Sequence, residues 1–247
     1  MREIKLKEKL KRPHIAATTK PVTFSGTAES IRRYLVHRRL LKTLLIILLT
    51  AVIVLYIVAV LYMRTGSFTV SVNKYDMVQK GLSLSESRTM DKKTVLLNAE
   101  IVEDVTNISG SWLPENIDMI DGVHNGENHI AYTFYLQNTG TEIQDYEYSL
   151  VLSNITQDLD EAIRIRLYLN GKPVTYARTR SDGGGPEPGT KEFYSDLVVL
   201  QERRKKFEPN DIDKFTVVIW IEGDDPDCVD RLIGGQLRAE MKFSCLE

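Results

Sequence analysis

The sequence predicts an all-β domain, a jelly roll or β-sandwich, preceded by one transmembrane α-helix. Three observations lead to this prediction: a run of twenty uncharged residues at 44–63, apolar side chains at every second position through much of 65–247, and turn-forming residues between the alternating runs. The 247-residue chain is 43% hydrophobic and 27% charged. This composition is that of ordinary globular proteins and excludes collagen-like, low-complexity and fully disordered chains.

Residues 44–63 form the expected membrane span. At about 1.5 Å per residue the run is about 30 Å long, which matches the hydrocarbon core of a bilayer. Lys42 and Arg64 bracket it. A cleaved signal peptide is the alternative, but its apolar region is usually about 7–15 residues long and ends at a small-x-small site, which the exit VLYMRTGS lacks. We therefore expect an uncleaved signal-anchor helix over residues 43–64.

Charge is distributed unevenly on the two sides of this span. Residues 1–42 contain 12 Lys and Arg against 3 Asp and Glu, whereas residues 65–247 contain 19 against 31. The positive-inside rule then predicts a single-pass protein of the cell membrane, with a basic cytoplasmic tail at 1–42 and an extracellular domain at 65–247. We expect the tail to act as a topology determinant, with contact to lipid or a partner as the alternative, and residues 30–41 could extend the helix. The membrane is the expected partner; no nucleic acid is expected.

The outer part reads as a succession of strands. Alternation predicts strands at 67–72, 129–137, 146–152, Ile163–Leu169 and 236–245, and the doubly apolar run at 215–221 predicts a central strand. Turn residues follow two of them, Asn138-Thr139-Gly140 and Asn170-Gly171. A short helix is expected after Asp225 as N-cap, with Pro226 at its first position and an apolar face made of Val229, Leu232 and Ile233.

Catalytic motifs are absent from the sequence: it contains no H-E-x-x-H, G-x-S-x-G, P-loop or G-x-G-x-x-G. His124 and His129 flank Glu127, but a catalytic zinc needs three protein ligands and nothing nearby supplies the third. A polar turn is the preferred interpretation. The basic run at 203–206 is expected at a solvated hairpin tip, with contact to an anionic surface polymer as the alternative.

Two features of the last third of the chain leave alternatives open. The carboxylates of Glu222, Asp224, Asp225 and Asp227 are a weak calcium candidate, with capping of the short helix as the alternative. No other cofactor is expected. Cys228 and Cys245 either form a disulfide, which would close a loop of about 18 residues and contribute about 3 kcal/mol, or remain two unpaired thiols.

Three segments resemble the camelysin/TasA group of bacterial cell-surface proteins: HIAYTFYLQNTG at 129–140, FTVVIWIEGDDPDC at 215–228 and IGGQLRAEMKFS at 233–244. In that family an F-x-N-T-G-like strand end precedes a hairpin, and a W-x-E-G-x-D segment leads to a helix and a final amphipathic strand. The resemblance implies a Firmicutes-type surface protein with a jelly-roll fold. It also implies biofilm-matrix fibres in which an N-terminal strand completes the sheet of the next subunit. Here that exchanged strand would carry Phe68, Val70 and Val72.

Together these observations predict a non-enzymatic, membrane-anchored cell-surface protein. Its β-sandwich domain is expected to serve matrix- or fibre-type assembly, by self-association through β-strand addition, or adhesion. Two alternatives are a camelysin-type surface metallopeptidase and a ligand-binding accessory domain of an envelope complex.

Overall fold

The computed structural model describes residues 25–64, 67–99 and 105–246, with side chains from residue 32 to 59 in the first of these ranges. One long helix, α1 (Ser25–Arg64), precedes a domain built of β-strands. The chain divides between Val58 and Ala59 into two compact units, and each is described by itself. Residues 1–24 of the predicted tail and residues 65–66 of the predicted outer domain lie outside the described residues.

Helix α1 is long and apolar enough to span a membrane or to act as a signal sequence. An 18-residue stretch within Arg32–Ala59 has a mean hydropathy of 2.7, and none of its side chains is buried. No Gly or Pro interrupts residues 27–64, so the helix starts well before residue 43 and includes the predicted extension over 30–41. The Thr50 hydroxyl donates to the Ile47 carbonyl at 2.8 Å, so this polar group is satisfied within the helix.

The described part of the β domain contains twelve strands. In chain order they are β1 (Ser67–Val72), β2 (Leu82–Ser85), β3 (Leu96–Ala99), β4 (Gly122–Val123), β5 (His129–Asn138), β6 (Gln144–Ser153), β7 (Ile163–Leu169), β8 (Lys172–Ala177), β9 (Lys191–Glu192), β10 (Val198–Phe207), β11 (Ile212–Ile221) and β12 (Arg238–Cys245). All six strands predicted from the sequence are present, within a few residues of the expected bounds.

The strands form two sheets. Sheet A has the order β10-β6-β12-β1-β3, and sheet B has the order β2-β5-β11-β7-β8-β9, with the short β4 also paired to β5. The first and last strands, β1 and β12, are parallel neighbours in sheet A. As predicted, β11 lies inside its sheet, between β5 and β7. Its second apolar face is covered because Leu113 and Ile117 from the segment before β4 pack on Val218 and Trp220.

One hydrophobic core lies between the two sheets and makes the domain a β-sandwich. Its centre is an aromatic cluster around Phe243 of β12. The ring of Phe243 lies 5.0 Å from that of Phe215 and 6.0 Å from that of Phe134, both in sheet B, and about 6 Å from Tyr146 and Tyr148 of its own sheet. Such edge-to-face and offset pairs stabilise a core beyond the area they bury.

The two predicted turns have different outcomes. Asn170 and Gly171 join β7 to β8 as a two-residue hairpin with φ of 51° and 79°, which confirms the prediction. The hairpin expected after Asn138 is wrong, because β5 belongs to sheet B and β6 to sheet A. Asn138 instead organises a crossing between sheets: its buried side chain donates to the carbonyls of Glu142 and Phe207 and accepts from the Gly140 N–H, each at 2.9 Å.

The helix expected after Asp225 is also wrong. In its place the structure has a single 3-10 turn, Asp230–Leu232, of which only Leu232 is buried. Val229 is exposed, and Ile233 is 77% exposed. The Asp225 carboxylate does accept the Asp227 N–H at 2.8 Å, as in a cap. Its other oxygen is committed to an arginine of β7, so the segment follows tertiary contacts instead of a helical course.

Truncation of the central ring tests this description of the core. Phe243→Ala should lower the free energy of unfolding by about 3–5 kcal/mol, because it leaves a cavity between the two sheets. The matched control is Lys242→Ala on the opposite, exposed face of β12, which should change stability by less than about 1 kcal/mol. Guanidinium unfolding of the full chain in detergent measures both, and equal effects would contradict a core centred on Phe243.

Candidate functional site

The acidic segment that follows β11 was the strongest ligand candidate in the sequence, and its carboxylates have separate protein partners. Glu222 accepts the Trp220 indole N–H at 3.0 Å and the Gly110 N–H at 3.1 Å. Asp224 accepts the Ser109 hydroxyl at 2.7 Å. These bonds tie the segment to the 105–123 stretch that covers sheet B.

Asp227 and Asp225 face other parts of the domain. Asp227 accepts the hydroxyl and the N–H of Ser181, and these bonds hold the pKa of its carboxyl below the usual range. Asp225 pairs with Arg164 at 2.6 Å, with both side chains almost fully buried. Glu187 lies 3.9 Å from the same guanidinium. Arg164 belongs to the outward face of β7, and these two carboxylates allow a charge to be buried there.

The predicted calcium ligands therefore do not converge on one point. Each of the four carboxylates contacts a different hydrogen-bond donor, and no group of three or more His, Cys, Asp or Glu side chains with metal-binding geometry occurs among residues 25–64, 67–99 and 105–246. The observed contacts connect loops, which is a structural role close to the capping alternative.

The two histidines lie at the turn before β5. His124 places Nδ1 at 2.8 Å from the Gly122 carbonyl and Nε2 at 2.7 Å from the Ile117 carbonyl, so neither nitrogen faces an open position where a metal could bind. Burial, and then the charge of His124, lowers the pKa of His129. The polar-turn interpretation agrees with this geometry: His124 fastens the covering segment beside β4.

The disulfide alternative is not what the structure contains, because both cysteines are unpaired. Cys228 packs against the small cluster of Leu159, Ala162 and Leu232, whereas Cys245 is the last residue of β12 and packs against the core between the sheets. The two cysteines therefore belong to different hydrophobic clusters. Burial, and then the neighbouring Asp76 carboxylate, raises the pKa of Cys245 to about 12.

The strand expected to be exchanged between subunits pairs within its own chain. β1 lies between β12 and β3, and its inward residues Phe68, Val70 and Val72 are buried in the core. Each is covered by sheet B as well as by its strand neighbours. Removal of β1 would therefore expose an edge of β12 and leave β3 without its neighbour in sheet A.

The basic run at 203–206 belongs to the edge strand β10, not to a hairpin tip. Arg203 pairs with Glu147 at 3.1 Å, and Arg204 lies 3.4 Å from the buried Asp213. Glu202 and Arg204 are registered opposite Tyr148 and Tyr146, whose side chains point into the sandwich. The edge of sheet A thus turns charged side chains toward sheet B.

This arrangement borders a cleft that the sequence analysis missed. The cleft has a volume of about 400 Å³ and lies between β10 of sheet A and β7–β9 of sheet B. Its lining consists of Tyr148, Leu167, Leu169, Asn170, Lys172, Val174, Tyr176, Lys191 and Glu202. At its mouth Lys191 Nζ lies 2.5 Å from Glu202 Oε1, and this bond raises the pKa of Lys191. The charge of Glu202 is tolerated at an inward position because β10 is the edge strand of sheet A. The order of strands in a sheet is not visible in a short stretch of sequence, so the sequence did not predict the cleft.

No protein-family model matches the chain, and no curated protein matches it. Among solved structures, a crystal structure of β-glucosidase from Kluyveromyces marxianus in complex with glucose is similar with 11% identity over 68% of this chain, and a selenomethionine-labelled structure of the same enzyme with 12% identity over 65%. Both have a TM-score of 0.24, and the match spans only 16% of the enzyme chain. At this TM-score the similarity carries no argument about fold or activity.

The buried ion pair provides a test of the loop connections. Asp225→Ala should destabilise the domain by about 3–5 kcal/mol, because it leaves the Arg164 guanidinium buried with only the more distant Glu187. Glu240→Ala is the matched control, since it breaks an exposed pair with Lys242 and should cost less than about 1 kcal/mol. Denaturant unfolding of the full chain measures the difference; similar losses would contradict a structural role for Asp225.

Thiol reactivity tests the cysteine assignment. Without reductant, two thiols per chain should react in denaturant, and one or none would contradict the unpaired state. In the folded chain at pH 8, Cys245 should react with iodoacetamide about a thousandfold more slowly than in denaturant, because a pKa near 12 instead of 9.0 lowers the thiolate fraction by that factor.

Between pH 9 and 12 the Cys245 thiol of the folded state keeps a proton that the unfolded state loses. Stability should therefore fall as pH rises, and less steeply in Cys245→Ala.

Proposed function

We propose that this chain is a single-pass membrane protein whose β domain lies on the outer surface of the cell and acts, without catalysing a reaction, in adhesion or in matrix- and fibre-type assembly. The observation that carries the proposal is helix α1, with an 18-residue stretch of high hydropathy that buries none of its side chains, followed by a separate β domain with its own core. An apolar helix surface of this size is stable in lipid.

Orientation is proposed from the flanking charges. Five basic residues lie shortly before the uncharged run, Arg32, Arg33, Arg38, Arg39 and Lys42, and only Arg64 and Lys74 follow soon after it. The positive-inside rule then keeps the N-terminal side in the cytoplasm and exports the acidic β domain. Helix α1 would serve as an uncleaved signal-anchor.

The finer assignment of the fold is part of the proposal. The resemblance of residues 129–140, 215–228 and 233–244 to the camelysin/TasA group supports a jelly-roll version of the sandwich and a Firmicutes-type surface protein. Two of its motifs lie at structurally demanding places: Asn138 at the crossing between sheets, and Glu222 at the junction with Gly110. Both roles are structural, which favours a non-enzymatic protein over a metallopeptidase.

The edges of sheet A decide how self-association by β-strand addition would occur. At β3 the Thr94 hydroxyl donates to the Leu96 carbonyl at 3.0 Å and accepts the Leu96 N–H at 3.2 Å, so that edge is largely capped. At β10 the basic side chains of Arg203 and Lys205 would repel a second β10. Exchange of β1 between chains would not require pairing at the β3 edge or at the β10 edge of sheet A. Adhesion to another molecule would not require it either.

Membrane topology tests the first half of the proposal. Protease added to intact cells should remove the β domain and leave an N-terminal epitope tag protected. The control is the same treatment after lysis, which should remove the tag as well. A β domain that survives on intact cells but is cleaved after lysis would contradict the proposed orientation.

Light scattering of the full chain in detergent tests assembly. If β1 is exchanged, mass should grow with concentration, and the paired substitution Thr69→Cys with Asn98→Cys should prevent this growth once oxidised, because the two positions face each other across β1 and β3. Cys228→Ser and Cys245→Ala in all samples avoid mispairing, and the reduced double variant is the control. Growth that persists in the oxidised form would contradict exchange, and a constant monomer mass would leave adhesion as the function.

A further inference from the structure

The two sides of the sandwich are not equivalent. On one side the sheets are joined, because Thr94, just before β3, exchanges two backbone hydrogen bonds of 2.9 and 3.1 Å with Leu84 of β2. On the other side β10 and β8 leave the cleft of about 400 Å³ described above. Small-molecule sites have volumes of about 300–1,000 Å³, and this cleft falls within that range.

We propose that this inter-sheet cleft binds a neutral pyranose unit of a surface glycan. The first argument is that its tyrosine hydroxyls are unused. Tyr148 and Tyr176 are both largely buried, yet neither hydroxyl makes a hydrogen bond to any residue that the structure describes. By contrast, Tyr132, Tyr135 and Tyr146 all donate to carboxylates. Neither hydroxyl oxygen is fully enclosed, so both are available to a ligand that enters the cleft and displaces solvent.

The second argument is the balance of charge around the two hydroxyls. Lys191 and Glu202 neutralise each other at 2.5 Å across the mouth, and Lys191 also lies over the Tyr176 ring at 5.6 Å. An ionic ligand would meet a like charge at one of the two groups. A purely apolar ligand would cover the Lys191 ammonium and the Glu202 carboxylate and remove their hydrogen bonds to water without offering new ones, which costs free energy. The polar groups therefore favour a neutral molecule rich in hydroxyls.

The third argument is the apolar part of the lining. Leu167, Leu169 and Val174 contribute aliphatic side chains beside the two aromatic rings. A pyranose ring has an apolar C–H face and a rim of hydroxyls that donate and accept. Its face fits the aliphatic lining, while its rim meets tyrosine hydroxyls, a carboxylate and an ammonium group. The cleft offers both kinds of contact within one small volume.

A second cleft, on the outward face of sheet B, lacks this property. Its volume is about 370 Å³, and most of its polar groups are engaged with one another, although Glu187 Oε1 is buried there without a hydrogen-bond partner. The Trp220 indole donates to Glu222 at 3.0 Å, and Arg166 Nε donates to Thr175 at 2.9 Å. A neutral ligand there would have to compete with these hydrogen bonds, whereas the two tyrosine hydroxyls of the inter-sheet cleft make none to a described residue.

The test is saturation-transfer NMR and calorimetry on the full chain in a detergent without a sugar headgroup, using the methyl glycosides of glucose, galactose, mannose and N-acetylglucosamine. At least one should bind saturably. Tyr176→Phe should weaken that binding by up to about tenfold, because one neutral hydrogen bond is lost. Tyr168→Phe makes the same change on the opposite face of β7 and should leave affinity unchanged.

Three results would overturn the proposal: no binding of any glycoside, equal loss in both tyrosine variants, or preferential binding of hexanoate, an anion with an apolar chain. The inference deepens the adhesion form of the proposed function and rests on it for its cellular setting. Its failure is nevertheless distinguishable, because protease protection and molecular mass do not depend on the cleft. A folded Tyr176→Phe variant, confirmed by an unchanged unfolding midpoint, excludes loss through misfolding.

Discussion

The burial of one face of each sheet against the other is the constraint on which the rest of the β domain depends. Phe243 carries it most directly, since its ring contacts aromatic rings from both sheets. Because β12 is the last strand and β1 the first, their parallel pairing inside sheet A makes the core complete only when nearly the whole domain is present. This arrangement couples distant parts of the sequence and favours cooperative folding.

Buried polar groups hold the loops and the covering segment, which lie outside the hydrophobic core, against the sheets. Asn138 satisfies the backbone where the chain crosses between sheets, His124 fastens the covering segment, and Asp225 neutralises Arg164 on the outward face of sheet B. Each of these groups is partly or fully buried, so its hydrogen bonds replace those lost to water. The residues that looked most like ligands in the sequence are thereby used for structure.

The open side of the sandwich follows from the same constraint. At the edge strand β10 the inward positions are not fully enclosed, and charged residues such as Glu202 are tolerated because solvent reaches them. Charges at these positions also discourage pairing with another sheet edge. The two proposed functions would use different parts of the sandwich. Assembly would need exchange of β1, whereas adhesion would use the cleft that the charged edge strand β10 leaves open.

The uncharged run at 44–63 predicted helix α1, and the period-two alternation predicted five strands, with a doubly apolar run predicting a sixth. These patterns reflect local geometry: twenty residues of helix match a bilayer, and alternate side chains of a strand point to opposite faces. Tertiary structure alone decided features that depend on distant partners. The Asp225 segment has good helix-start residues, but the buried charge of Arg164, about sixty positions earlier, engages its carboxylate. Likewise, apolar and polar residues do not alternate cleanly along β10, because its inward positions at the sheet edge are partly open to solvent and carry charged side chains. The separation of the cysteines and the cleft depend on which sheet each strand joins, and local residue order does not encode that choice.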